Sequence, residues 1–182
     1  MNDDRELLQG FVRDGSQADF EALVQRYTPM VFSSAQRRAG ATHAEDITQA
    51  VFIILAEKAE HLYRKKHKNI AGWLHTTTRY AALQVRRSET RRKTRERNAS
   101  EEHIAMHEDK PPEAWVTITP LLDSALDSLG SKDRSALLLR FFRGASHAEV
   151  GGALGLSANA ANQRVERALA QLQRFLTNRR PS

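Results

Sequence analysis

Residues 140–172 read RFFRGASHAEVGGALGLSANAANQRVERALAQL, and this stretch decides the fold because two amphipathic helices are joined in it by a tight turn. Ser146-His147-Ala148-Glu149 has the form of a capping box, in which the Ser146 hydroxyl accepts from the Glu149 amide and the Glu149 carboxylate reaches back to the Ser146 amide. Val150, Ala153 and Leu154 supply the inward face of the first helix. Gly155 offers the permissive backbone of a helix end, and Ser157 is placed to cap the second helix. There Ala161, Val165, Ala168, Leu169, Leu172 and Leu176 recur at spacings of three and four, which buries one stripe. The other face carries Asn159, Asn162, Gln163, Arg164 and Arg167. Amides and guanidinium groups in the first turns of such a helix suit base edges and phosphates in a DNA major groove. An ordinary surface helix is also polar outside, so the pattern alone leaves both readings open.

At 182 residues the chain has room for one large or two small domains, and an apolar fraction of 40% is enough to bury real cores. The net charge of +6 and the isoelectric point near 10.0 point to a polyanionic partner. The distribution says more than the total. Between Arg64 and Arg97 twelve basic residues stand against Glu89 and Glu96, a net of +10 in one segment, denser than a merely solvated helix face usually carries. Cysteine is absent, which excludes disulfides, Cys-ligated zinc and thiol catalysis together. The opening MNDDRELLQG is acidic rather than basic and then apolar, and no stretch approaches a bilayer span, so a cytoplasmic protein is expected.

Nearly every apolar pattern has helical period, so the expected fold is all-α, with two small helical domains joined by a flexible linker. A short helix carries Leu7, Leu8, Phe11 and Val12. Ser16 and Asp19 open a second, whose buried stripe includes Phe20, Leu23, Val24, Tyr27 and Val31, with a kink expected at Pro29. Thr42-His43-Ala44-Glu45 reads as another capping box, starting a helix that runs to about Leu62. The next begins near Asn69 and continues through Trp73 into the arginine-rich tract. Between Lys93 and Val116 the periodicity fades, charge turns acidic and Pro111-Pro112 appear, the composition of a linker. The expected division is residues 1–92, a linker at 93–118, and the helix-turn-helix domain at 119–182.

Three groups of residues carry candidate chemistry. On the helix opened at Thr42, Ile47, Val51, Ile54, Leu55 and Leu62 form a core side, while Asp46, Gln49, Ile53, Glu57 and Glu60 fall opposite. An apolar Ile53 inside a polar rim suits a docking surface, although a lone exposed Ile is also common. On the next helix Ile70, Trp73, Leu74, Thr77 and Ala81 form the inward stripe, and Arg79, Leu83 and Arg86 project away, flanked by His75, Tyr80 and Arg87. Cations beside an aromatic suit phosphates plus an unstacked base; packing of Tyr80 at the edge of the core is the plainer alternative. His103 and His107 have the spacing of a metal pair but sit in the linker without a supporting shell, so no metal and no cofactor are expected. No Gly-rich phosphate loop or nucleophile elbow is present, and no catalytic residue is assigned.

Together these residues resemble the small two-domain sigma factors of the sigma-70 class, the extracytoplasmic-function (ECF) subfamily. FEALVQRYTPMVF is similar to the family's first conserved helix. AEDITQAVFIILAEK is similar to its core-polymerase-binding segment, with Asp46, Gln49 and Phe52 at the D-x-x-Q-x-x-F positions. GWLHTTTRYAALQVRR resembles the W-L helix for the minus-10 promoter element, and Arg164, Arg167 and Ala168 match the R-x-x-R-A ending of the minus-35 reader. The resemblance implies a non-enzymatic transcription initiation factor whose partners are RNA polymerase core, through its beta and beta-prime subunits, and promoter DNA, with room for an anti-sigma factor. It implies polymerase binding by Asp46, Gln49, Phe52 and Ile53. Minus-10 contacts would come from His67, Lys68, Asn69, Arg79, Tyr80, Leu83, Arg86 and Arg87, with the loop at His67–Asn69 as the pocket for an extruded base. Minus-35 contacts would come from Ser157, Asn159, Ala160, Asn162, Gln163, Arg164 and Arg167. The sequence departs from the family pattern at Thr76-Thr77-Thr78, Tyr80, Gln84 and Gly151-Gly152, which bears on promoter sequence more than on role. The rivals are a stand-alone helix-turn-helix regulator, which predicts a dimer on a palindromic site, and a nucleic-acid-processing enzyme, which predicts dependence on a divalent metal.

Overall fold

Each half of the chain closes its own apolar core, and its helices start where a side chain or a glycine lets them. The computed structural model describes residues 3–65, 69–99 and 113–178, and every regular element among them is helical. The first half holds α1 (Asp4–Asp14), α2 (Gln17–Ala39), α3 (Ala41–Arg64) and α4 (Ala71–Ala99). The second holds α5 (Glu113–Ser128), α6 (Ser131–Leu137), which widens into a π-helical turn over Leu138–Phe142, then α7 (His147–Leu154) and α8 (Ala158–Thr177).

Asp3 and Glu6 form a reciprocal capping box on α1, with bonds of 2.8 and 3.0 Å, and Ser16 caps α2 through the Asp19 amide at 3.3 Å. α2 continues as one helix through Pro29, which faces solvent, so water can serve the Gln25 carbonyl that has lost its amide donor. The Thr42 capping box does not form. Gly40, at φ 85° and ψ 166°, swings the chain straight from α2 into α3, and the helix has begun at Ala41 before Thr42 can act as its cap.

The first core gathers Leu8, Leu23, Tyr27, Val31, Ile47, Leu55, Leu62, Ile70 and Leu74. Beneath it lies a feature the sequence did not announce. Asp4, fully buried, receives a bond from Arg26 at 2.7 Å, from the Ile70 amide at 2.9 Å and from the Tyr27 hydroxyl. One carboxylate thereby ties α1 to α2 and fixes the entry to α4. Burial, and then the adjacent negative charge, push the Tyr27 hydroxyl well above its ordinary pKa, so it stays a donor to that carboxylate.

α4 is rotated from the expected facing. Its buried residues include Ala71, Leu74, His75, Thr78 and Ala82, whereas Thr77 and Ala81 are half-buried, and His75, expected on the outer flank, is 1% exposed. The reason is a second neighbour: α6 and the π-helical turn of the other half pack on α4, and Asp127 of α5 lies 3.4 Å from Arg79 and 3.9 Å from His75. The expected linker also shrinks, since α4 runs to Ala99 and α5 begins at Glu113. Apolar periodicity ends near Val85 because the helix leaves the core, not because it stops, and arginine is a good helix former. The His103–His107 pair lies outside the described residues.

The second core is Leu126, Leu129, Ala136, Leu137, Leu139, Val150, Ala161, Val165 and Ala168. Leu169, expected inside, is 40% exposed, since the buried register of α8 runs 161, 165, 168 and leaves 169 beyond its edge. The halves meet through polar contacts and, among the described residues, through Leu138, which belongs to the first core although the chain places it in the second half.

Candidate polymerase and nucleic-acid interfaces

Three surfaces carry the residues singled out from the sequence. On α3, Asp46, Gln49 and Ile53 are exposed, with Ile53 at 53%, while Ile47, Val51 and Leu55 on the reverse are buried. Phe52 is the correction on this face. At 8% exposure it packs into the first core and offers little for a partner to touch.

On α4, Tyr80 is 60% exposed and the Arg79 guanidinium lies 5.7 Å from its ring. Leu83, Arg86, Arg87, Thr90 and Arg91 line a shallow groove one turn further along, and both Arg86 and Arg87 are exposed. Arg79 is not free: its Nε sits 3.4 Å from Asp127 of α5. His67 and Lys68 lie outside the described residues. Asn69 is half-buried at the start of α4, and its side-chain oxygen has no hydrogen-bond partner among the described residues.

The helix-turn-helix forms as read. Ser146 and Glu149 make the capping box on α7 at 3.2 and 2.7 Å, Gly155 takes the left-handed backbone at φ 70°, and Ser157 caps α8 through the Ala160 amide at 3.2 Å. A close approach explains part of the Gly151-Gly152 departure, since a Cβ on Gly151 would lie 2.6 Å from the Leu156 carbonyl in the turn. Asn159, Gln163 and Arg167 are exposed, Asn162 is half-buried and bonded to Glu166 at 3.1 Å, and Ala160 is half-buried. Arg164 departs from the expected free face. Its Nη1 donates to Asp133 of α6 at 2.7 Å, its side chain is 22% exposed, and its Nε is buried without a partner among the described residues. α6 lies against α8 at that height and claims the guanidinium. Ser157 is likewise committed, as a cap.

The acidic partners Asp123, Asp127 and Asp133 escaped sequence reasoning. Asp123 and Asp127 lie one turn apart on a helix with apolar neighbours, which hints at a paired surface but names no partner. Facing Asp123 and Asp127 from α4 is His75, whose pKa is lowered to about 4 by burial and by the Arg38 charge, partly offset by Asp127. Its Nε2 is 3.4 Å from an Arg38 nitrogen, so it is neutral at pH 7.

A sigma-70 region 2 family model matches residues 23–92, and a sigma-70, region 4 model matches residues 125–174. The first span contains α3 and α4 as far as Arg92; the second contains the helix-turn-helix. The chain is 31% identical over 141 residues to the ECF RNA polymerase sigma factor SigF of Caulobacter vibrioides, covering 75% of this chain and 73% of that one. The chain belongs to the ECF subfamily of sigma-70 factors. It is also 27% identical over 172 residues to the ECF RNA polymerase sigma factor SigE of Mycolicibacterium smegmatis, covering 91% of this chain and 66% of that relative's length. Two solved structures are similar in part, each at 22% identity. The structure of CnrH in complex with the cytosolic domain of CnrY has a TM-score of 0.45 and covers 97% of this chain and 99% of that one. The sigma factor RpoE in complex with the anti-sigma factor NepR, from Bartonella quintana, has a TM-score of 0.41 and covers 89% and 99%. A sigma factor is a transcription initiation factor: it binds RNA polymerase core and promoter DNA and directs the polymerase to its promoters. Among the described residues no helix is long and apolar enough to cross a membrane, and no His, Cys, Asp or Glu cluster could hold a metal ion.

Proposed function

We propose that this sigma factor divides its work among the three surfaces, acts in the cytoplasm, and catalyses no reaction of its own. Asp46, Gln49 and Ile53 dock on the polymerase core, with Phe52 fixing the backbone beneath them. Arg79, Tyr80, Leu83, Arg86 and Arg87, with the loop at His67–Asn69, hold separated minus-10 DNA. Asn159, Asn162, Gln163 and Arg167 read the minus-35 duplex, with Ser157, Ala160 and Arg164 setting the pose of the helix that carries them. The division at 1–92, 93–118 and 119–182 is the one this reading uses.

The observation that carries the polymerase assignment is the 53% exposure of Ile53 within a rim of Asp46, Gln49 and Glu57, over a helix whose reverse side is fully packed. An apolar centre with polar edges is how association surfaces are built. Replacing Gln49 with Ala and Ile53 with Glu together should abolish co-purification with core polymerase while circular dichroism stays unchanged, because neither residue supports the core. A folded double variant that still binds core at native affinity would refute the assignment.

A further inference from the structure

We propose that Asp123 and Asp127 of α5 latch the free chain shut by occupying cations of the first half, among them one that DNA needs, so that opening precedes promoter capture. Asp123 accepts from Arg37 at 2.8 and 3.2 Å and lies 3.4 Å from Arg38. Asp127 accepts from Arg38 at 3.0 and 3.1 Å and lies 3.4 Å from Arg79. Arg134 of α6 donates to Thr76 of α4 at 3.1 Å, and Arg143 reaches Asp4 at 3.5 Å across the same boundary. Two carboxylates thus sit among three guanidinium groups of α2 and α4, filling the positions that phosphate oxygens would fill on that basic surface.

The contact has the make-up of a reversible one. Contacts between domains of one chain resemble transient interfaces, more polar than a core. Leu138 contributes an apolar contact; the remaining contacts named are ion pairs and hydrogen bonds. The Asp123 and Asp127 side chains are 6% and 18% exposed, so water screens them little, whereas Arg79 at 38% forms the open rim. Arg79 is the switch point, since its guanidinium cannot hold Asp127 and a DNA phosphate with the same face. Capture of DNA by α4 and closure on α5 therefore compete, and the apparent affinity of the free chain for a single strand is reduced by the fraction that is open.

The inference rests on the DNA-binding role proposed for α4, and the test separates the two. A Cβ on Gly72 of α4 would stand 3.6 Å from the Ser135 Cβ of α6, within disulfide range, and the chain has no cysteine of its own to interfere. Gly72→Cys with Ser135→Cys should therefore oxidise readily in the free full-length protein. The oxidised form should lose most binding to a fluorescein-labelled thymine-rich single strand, and reductant should restore it. Asp123→Asn with Asp127→Asn should act in the opposite sense, raising the radius of gyration in solution scattering and tightening strand binding several-fold at low salt. Failure of the cysteine pair to oxidise, or a locked form that binds the strand as well as the reduced one, would overturn the latch. Arg86 lies on the same α4 face outside the ion cluster, so Arg86→Ala reports on the DNA face alone. If it leaves strand binding unchanged, the reading of α4 fails and the autoinhibition falls with it. If it weakens binding while locking does not, only the latch is refuted.

Discussion

Arg164→Ala distinguishes a residue that reads DNA from one that holds the reader in place. The pair with Asp133 is 2.7 Å long, with side chains 22% and 17% exposed, between a surface ion pair and a buried one. Exposed pairs contribute about 0–1 kcal/mol, and breaking a buried pair by removing one partner costs about 3–5 kcal/mol. This site should fall near the middle, with a loss of about 2 kcal/mol, because Asp133 is left partly desolvated without its cation. The assay is urea denaturation of the full chain followed through the second half, with Arg164→Ala, Asp133→Asn and the double variant. The singles should lose similar amounts, and the double should lose less than their sum, since the second substitution removes an already orphaned group. Binding to a minus-35 duplex selected by the wild-type protein should weaken without relaxed preference at any one base pair. Unchanged stability with relaxed preference at a single position would refute the reasoning and return Arg164 to the base-reading face.

Asp4→Ala should be among the most damaging single changes, costing about 3–5 kcal/mol, because it strands the Tyr27 hydroxyl and the Ile70 amide in a buried site and removes the anion that faces Arg26 and Arg143; thermal unfolding measures it. His75 sets an acid limit. Its folded pKa of about 4 lies below the unfolded value of 6.5, so the unfolded chain binds the extra proton first, and stability is lost as pH falls from 6.5 toward 4. Between pH 7 and pH 5 the loss should be about 2 kcal/mol, and His75→Gln should flatten that slope while Asp123, Asp127, Arg38 and Arg134 remain around it. Arg86→Ala should reduce permanganate reactivity of promoter thymines in reconstituted holoenzyme while duplex binding persists. Arg167→Ala should do the reverse, with its salt dependence falling by about one unit if it grips a phosphate.

What the sequence made legible is what depends on neighbours along the chain. The capping box at Ser146 and Glu149, the left-handed Gly155 and the cap at Ser157 are set by residues within a few positions of one another, and all three form as read. The core side of α3 was legible for the same reason, since 3.6-residue periodicity is a local property. Thr42 shows where local reading stops. Its motif is as good as that of Ser146, yet Gly40 turns the backbone one residue earlier and the helix starts without it. The facing of α4 failed on a longer range, because one helix packed on both sides has no single inward stripe.

The two arginines whose placement changed share one cause, a carboxylate on another helix. Arg164 was placed outward because periodicity puts it there, and Asp133 draws it in; Arg79 was placed on a DNA face, and Asp127 holds it. A basic residue at a polar helical position reads the same whether its anion is a nucleic-acid phosphate or an aspartate of its own chain. Only the distance between helices tells them apart. Where the competing carboxylate sits in the same half, as Asp133 does, the pairing is part of the fold of that half and the guanidinium is engaged whether or not the two halves stay together. Where it sits across the boundary between halves, as Asp127 does, the same chemistry becomes conditional on the two halves staying together. The arginine can then serve both anions, one at a time.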